Sequence, residues 1–289
     1  MKEKDLAEKQ LMAYDDVYAD ILNVLLFHGK RLILLENLET AGTQSSYVSQ
    51  KELRGQERDL AKYWRNHNIR IAFIGVENQT TVKRNMPLRV MGYDGAAYRA
   101  QLLEEGQNIW YPVITIVLYF GYKRRWKAPK RLVECLRVPR ELLPYVNDYH
   151  INLFEVAFLE EEQVAMFQSD FRIIADYFVQ MRKHRNYIPS DIPMKHSYET
   201  LKLLSVLAKD VRFVSVHEKG KEGGLTMCEV LDRIESRGFK RGEKCGEKRG
   251  EKRGRYNVLK ELVEEGILTM EEAAKRINMS QEKFSKMMD

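Results

Sequence analysis

The segment Arg70 to Gln79, RIAFIGVENQ, limits the fold more than any other stretch of the chain. It is apolar at both parities from Ile71 to Val76, the pattern of a strand covered on both faces. Such a strand belongs inside a sheet with helices on either side. Its last three residues, Glu77, Asn78 and Gln79, are polar, so the buried run opens at its carboxyl end. Side chains alternate along a strand, which puts Glu77 and Gln79 on one face and Asn78 on the other.

The flanking patterns extend this strand into a domain. Pro87 to Leu103 predicts a helix with Pro87 in its first turn. Leu88, Met91, Gly95, Tyr98 and Leu102 form its apolar stripe, and Gly92 and Gly95 read as points of close packing. Val113 to Phe120 is a second buried strand, so the order is βαβ and the class α/β. Upstream, Tyr14 to His28 predicts a helix closed by Gly29, and Glu39 to Lys51 reads as a polar loop. From Pro139 the pattern turns mostly helical. Val164 to Lys183 and Ser197 to Leu207 are the clearest helices, and Asn152 to Phe158 reads as one more strand.

Charge is unevenly placed. The formal net charge of the 289 residues is +6, and Arg237 to Arg255 alone, with nine Lys/Arg and three Glu, accounts for all of it. Overall basicity therefore says little about the main body. Within that stretch Gly238, Gly242, Gly246, Gly250 and Gly254 recur every four residues, which predicts a flexible basic linker over 237–256. Beyond it, 257–289 reads as a small helical unit. Val258 to Glu265 stops near Gly266, Thr269 with Glu272 forms a capping box, and Ser280 caps a third helix. This layout suits a helix-turn-helix DNA-binding unit or a helical hairpin for oligomerisation. Gln281 to Met288 has two lysines and no arginine, a weak recognition surface.

A content of 44% apolar and 31% charged residues suits a soluble globular protein. The run Tyr111 to Tyr122 is too short to span a bilayer, and no signal peptide is visible. Cys135, Cys228 and Cys245 make no metal or disulfide spacing and are expected as free thiols in the cytoplasm. The six histidines show no metal-ligand spacing.

Asp59 stands eighteen residues before Glu77. An Asp followed by a strand ending in Glu-x-Gln is a layout for metal-dependent phosphodiester cleavage, since two carboxylates can hold Mg²⁺. The pattern is short. By spacing alone Glu77 suits a strand-end acid bound to a lysine, and Asp59 an acid paired with Arg58 or Lys62. Arg89 and Tyr93, at i and i+4, could meet a phosphate, brace Glu77 or simply pack. Lys83 and Arg84 could contact DNA or only solvate a loop. In the cluster Lys123, Arg124, Arg125, Trp126, Lys127, the cations suit phosphate contacts, while Trp126 either stacks on bases or packs inward.

The stretches ERDLAKYW, IRIAFIGVENQTTVKRNMPLRVMGYDGAAYRAQL and YPVITIVLYFG, with Trp126 after them, resemble the recombination-promoting nuclease/putative transposase family of the PD-(D/E)xK nuclease superfamily. VNDYHINLFEVAFL and FQSDFRIIADYFVQMR resemble its second half, so the likeness runs from about residue 14 to 215. It implies a restriction-endonuclease-like core, a mixed sheet flanked by helices, over 1–135 and a mainly helical extension over 136–236. It also implies that Asp59 and Glu77 bind the metal, that the Asn78 backbone carbonyl faces it, and that Gln79 stands where lysine is usual. Arg58 replaces the superfamily's proline. Asp20, on the first helix, is a further acid for the site or a polar residue beside the apolar face. The activity implied is DNA endonuclease with Mg²⁺, or Mn²⁺ or Ca²⁺, linked to recombination or mobile elements. The alternative is a non-catalytic DNA-binding or assembly protein on the same fold. DNA is the expected partner, a homodimer an option, and a membrane is not expected.

Overall fold

The computed structural model describes residues 3–41, 44–49, 52–57, 59–67, 69–104, 109–215 and 224–288; Arg58 lies outside them. Two helices open the chain, α1 (Glu3–Met12) and α2 (Asp15–Phe27). As expected, α2 ends in a left-handed His28 followed by Gly29 at φ +82°. Five strands follow: β1 (Leu38–Thr40), β2 (Gln44–Ser49), β3 (Glu52–Glu57), β4 (Leu60–Asn66) and β5 (Ile69–Gln79). Helix α3 (Met86–Leu103) crosses to β6 (Val113–Tyr119), and β7 (Asn152–Glu155) is the last strand of the main sheet. The rest is mainly helical: α4 (Glu161–Met166), α5 (Phe171–His184), α6 (Ser197–Ala208) and α7 (Arg212–Ser215). Short strands β8 (Pro193–Met194) and β9 (Leu225–Thr226) pair with each other, and α8 (Met227–Glu264), α9 (Met270–Arg276) and α10 (Gln281–Met288) end the chain.

The main sheet has the order β1-β4-β5-β6-β7. β4 runs antiparallel to both of its neighbours, β1 and β5, whereas β5, β6 and β7 are mutually parallel. β5 is thus a central strand, and α3 is the crossover of a βαβ unit. Alternation divides the two core layers. Met86 and Val90 of α3 pack on Val117 and Tyr119, with Trp126 and Ile151. On the other face Tyr18 of α2 donates its hydroxyl to the Ile74 carbonyl at 2.5 Å, and Phe120 meets Phe171 and Phe178 of α5.

Three expectations need correction. Residues 39–51 are not one polar loop: β1 joins the main sheet, and β2 with β3 forms an antiparallel hairpin. The predicted stripe of α3 faces outward, with Leu102 68% exposed; the buried face carries Met86, Val90, Tyr93, Asp94 and Gln101. Polar residues occupy that face because the interior satisfies them. Asp94 accepts from Thr115 at 2.6 Å and from the Tyr149 hydroxyl, and Gln101 brackets the Tyr111 backbone at 3.0 and 3.1 Å. Finally, the glycine repeat is not open chain but part of the 38-residue helix α8. Three of every four repeat positions are mostly Glu, Lys or Arg, which favour helix, and opposite charges three or four residues apart, such as Lys244 and Glu247, share a helix face. Arg255 lies 4.0 Å from Glu251 in such a pair.

Two compact units emerge, Met1–Val230 and Leu231–Asp289. In the second, Leu259, Ala273, Ala274 and Phe284 form a small core. The expected capping box is present: Thr269 Oγ1 accepts from the Glu272 N–H at 3.3 Å, and Glu272 Oε2 accepts from the Thr269 N–H at 2.9 Å. Among the described residues no helix is long and apolar enough to cross a membrane.

Candidate active site

The site begins with the register of two neighbouring strands. Leu60 opposes Val76 across the antiparallel β4–β5 pair, so Asp59, one residue before β4, arrives level with Glu77. Asp59 Oδ2 accepts the backbone N–H of Asn78 at 2.7 Å. That N–H would otherwise be an orphan at the sheet end, because β4 has no residue left to pair with it. In a strand the N–H and C=O of one residue project to the same side. The Gln79 carbonyl accepts from Phe120 N–H on the β6 side, at 2.8 Å. The Asn78 carbonyl therefore turns the opposite way, toward the side from which Asp59 reaches in.

Glu77 and Gln79 do share a face. Gln79 Nε2 donates to Glu77 Oε1 at 3.1 Å, and Glu77 is only 2% exposed. A carboxylate so buried is costly without a cation. Arg89 of α3 supplies one, donating from Nη2 to Glu77 Oε1 at 2.7 Å and to the Tyr93 hydroxyl at 2.8 Å. The packing of Met86 and Val90 fixes the roll of α3, and that roll aims Arg89 at the strand end. Burial works to lower the Arg89 pKa, but Glu77, Tyr93 and the more distant Asp59 outweigh it and raise it. Burial, then the Glu77 charge, raises the Tyr93 phenol. Arg89 thus keeps its charge and Tyr93 its proton, so neither serves as a general base near neutral pH.

The arrangement suits a hard divalent cation. Its donors are all oxygen: the Asp59 and Glu77 carboxylates, with the Asn78 carbonyl turned to the same side. Among the described residues no group of three His, Cys, Asp or Glu converges. Mg²⁺ does not need one, since one or two carboxylates commonly hold it with water and substrate phosphate. The place is already built for positive charge, because both acids act on the Arg89 guanidinium.

Other sequence candidates disperse. Asp20 is committed elsewhere: its Oδ2 accepts the N–H groups of Gln168 and Ser169, at 2.8 and 2.7 Å, holding the break between α4 and α5. That break also divides the single helix expected over Val164 to Lys183. Arg125 pairs with Glu155 at 3.2 Å and lies over the Phe158 ring. Trp126 packs inward against Tyr119. Lys83 and Arg84 are exposed in the loop after β5, and Lys123 and Arg124 are exposed after β6. By alternation the Asn78 side chain points away from Glu77. It is 3% exposed, and among the described residues neither its oxygen nor its nitrogen has a hydrogen-bond partner.

Sequence reasoning missed one cation. Lys209, left-handed at the end of α6, joins Lys123 and Arg124 around a cleft beyond Gln79. No local pattern marks it, since only the fold brings residue 209 to the ends of β5 and β6.

The family model described as "Putative transposase, YhgA-like" matches residues 4–192, which include Asp59, Glu77, Gln79, Arg89 and Tyr93, and the chain belongs to that family. No curated protein and no solved structure matches it.

Proposed function

We propose that this member of the YhgA-like putative transposase family is a metal-dependent DNA endonuclease acting in the cytoplasm, where its three free thiols persist. The observation that carries the reading is the convergence of Asp59 and Glu77 at the carboxyl end of β5, one bound to that strand's backbone and the other buried against Arg89. A bound Mg²⁺ would supply Lewis acidity to the scissile phosphate and lower the pKa of a water. Asp59 and Glu77 would hold it. Gln79 orients Glu77 through its amide, and Arg89 brings the positive charge that a lysine at position 79 would have brought. Tyr93 holds the guanidinium in line. Lys83, Arg84, Lys123 and Arg124 lie in loops at the same end of the sheet, where they can contact the DNA backbone. The family link points to recombination or mobile elements as the setting.

One observation favours the non-catalytic alternative: Glu77 Oε1 is already engaged by both Gln79 and Arg89. A plasmid-nicking assay across Mg²⁺, Mn²⁺ and Ca²⁺ separates the two. The nuclease reading expects cleavage in Mg²⁺ or Mn²⁺ and a loss of about 10²- to 10³-fold or more in Glu77→Ala, the scale on which removing one preorganised electrostatic group slows catalysis. Equal cleavage by parent and variant would sink the site assignment. DNA binding with no cleavage in any metal would favour the alternative.

A further inference from the structure

A cleft of about 560 Å³ opens at the carboxyl ends of β5 and β6, lined among others by Thr80, Thr81, Tyr122, Lys123, Arg124 and Lys209. It starts one residue past Gln79, at the end of the strand that carries Glu77. Ligands of open α/β sheets bind in this position, outside the carboxyl ends of parallel strands.

Its wall is built with little slack. A Cβ on Gly121 would run into the Tyr119 ring. The missing side chain lets Tyr119 fold back and donate its hydroxyl to the Arg124 carbonyl at 3.1 Å. This tight turn sets the backbone of Lys123 and Arg124 at the cleft mouth. Among the described residues no acidic one lines the cleft. Among the described residues no carboxylate pairs with Lys123, Arg124 or Lys209, although Arg125 beside them is paired. Three cations left without counter-ions around one concavity call for an anion. Thr80 and Thr81 add hydroxyl donors, and Tyr122 adds a half-buried ring.

We infer that this cleft holds one unpaired nucleotide of a DNA strand, next to the phosphate presented to Glu77. Lys123, Arg124 and Lys209 meet the phosphates, and Tyr122 offers its face to the base. Cations tracking a backbone beside an aromatic platform are the means by which single strands are gripped without sequence readout. The volume suits a small ligand such as one nucleotide. The identity of the ligand as DNA rests on the nuclease reading. The grip itself involves no cleavage, and Lys209 extends it beyond the residues matched by the family.

The test is fluorescence anisotropy of the full chain with a short labelled single-stranded DNA and with the matching duplex, in EDTA, across a salt series. The single strand should bind more tightly than the duplex. Lys209→Gln should weaken single-strand binding about fivefold at low salt and make the log–log salt slope shallower by about 0.7, the value for one lost phosphate contact on a single strand. Arg140→Gln, an exposed cation outside the cleft, should leave both unchanged. Parent-like binding by Lys209→Gln, or equal affinity for duplex and single strand, overturns the assignment. If the Lys209 effect holds while the parent cuts nothing in Mg²⁺ or Mn²⁺, the grip stands and the nuclease reading falls. If the parent cuts and Lys209→Gln is indifferent, the reverse is true.

Discussion

The carboxyl end of β5 and the glycine repeat of α8 carry charge in opposite ways. At β5, Glu77 is buried, and the Arg89 bound to it is about one-third exposed. In the repeat every side chain from Arg237 to Arg255 is exposed, and the ion pair there joins groups about 70% exposed, Arg255 and Glu251. Charge placed in the interior is worth much in one geometry and costs much in any other. Charge in solvent is nearly interchangeable. The first region is therefore specific to position, and the second to composition.

That contrast can be broken at its strong end by Arg89→Met. The change leaves the Glu77 carboxylate in the interior without its cation, and the expected loss is about 3 kcal/mol in urea unfolding. Parent-like stability would mean that Glu77 is solvated after all and that the contrast fails. The opposite face of the same strand offers a sharper check. Asn78 buries an amide with no hydrogen-bond partner among the described residues, so Asn78→Leu, of similar size, should stabilise by about 1–2 kcal/mol. A lower midpoint would reveal that the amide is satisfied and that both faces of β5 are polar by design.

The repeat responds in its own currency, helix propensity. An added Cβ at Gly246 meets nothing within 4 Å, so Gly246→Ala should raise helix stability by about 1 kcal/mol, read from thermal loss of the helical circular dichroism signal. A decrease would show that the glycines serve close packing. Smallest of all, Lys248→Gln should move stability by no more than about 0.5 kcal/mol. A larger shift would make that cation as position-specific as Arg89.

The same contrast explains what was legible in the sequence. β5 announces itself because burial on both faces removes polar residues at both parities, and the alternation of Glu77 and Gln79 follows from strand geometry alone. The pairing of Asp59 with that strand needed the family resemblance, since a register cannot be read from one strand. The Arg89–Glu77 bond depends on the roll of α3. The apolar stripe of α3 gives the wrong roll because Asp94 and Gln101, polar residues with interior partners, occupy the buried face while Leu88, Met91 and Leu102 face out. In α8 each glycine alone reads as a helix breaker, whereas the Glu, Lys and Arg between them act together along the helix. Lys209 carries no local signal at all, because its role comes from where α6 ends.

The turn at His67, which makes β4 and β5 sequence neighbours, has a temporal meaning. Hairpin contacts are local and form early, while contacts between distant parts of the chain wait for loop closure. Asp59 and Glu77 can meet as soon as the first eighty residues leave the ribosome. The cleft must wait for residue 209 and the helices before it. During synthesis the strand pair that carries Asp59 and Glu77 can therefore form before Lys209, which completes the wall of the cleft, has left the ribosome.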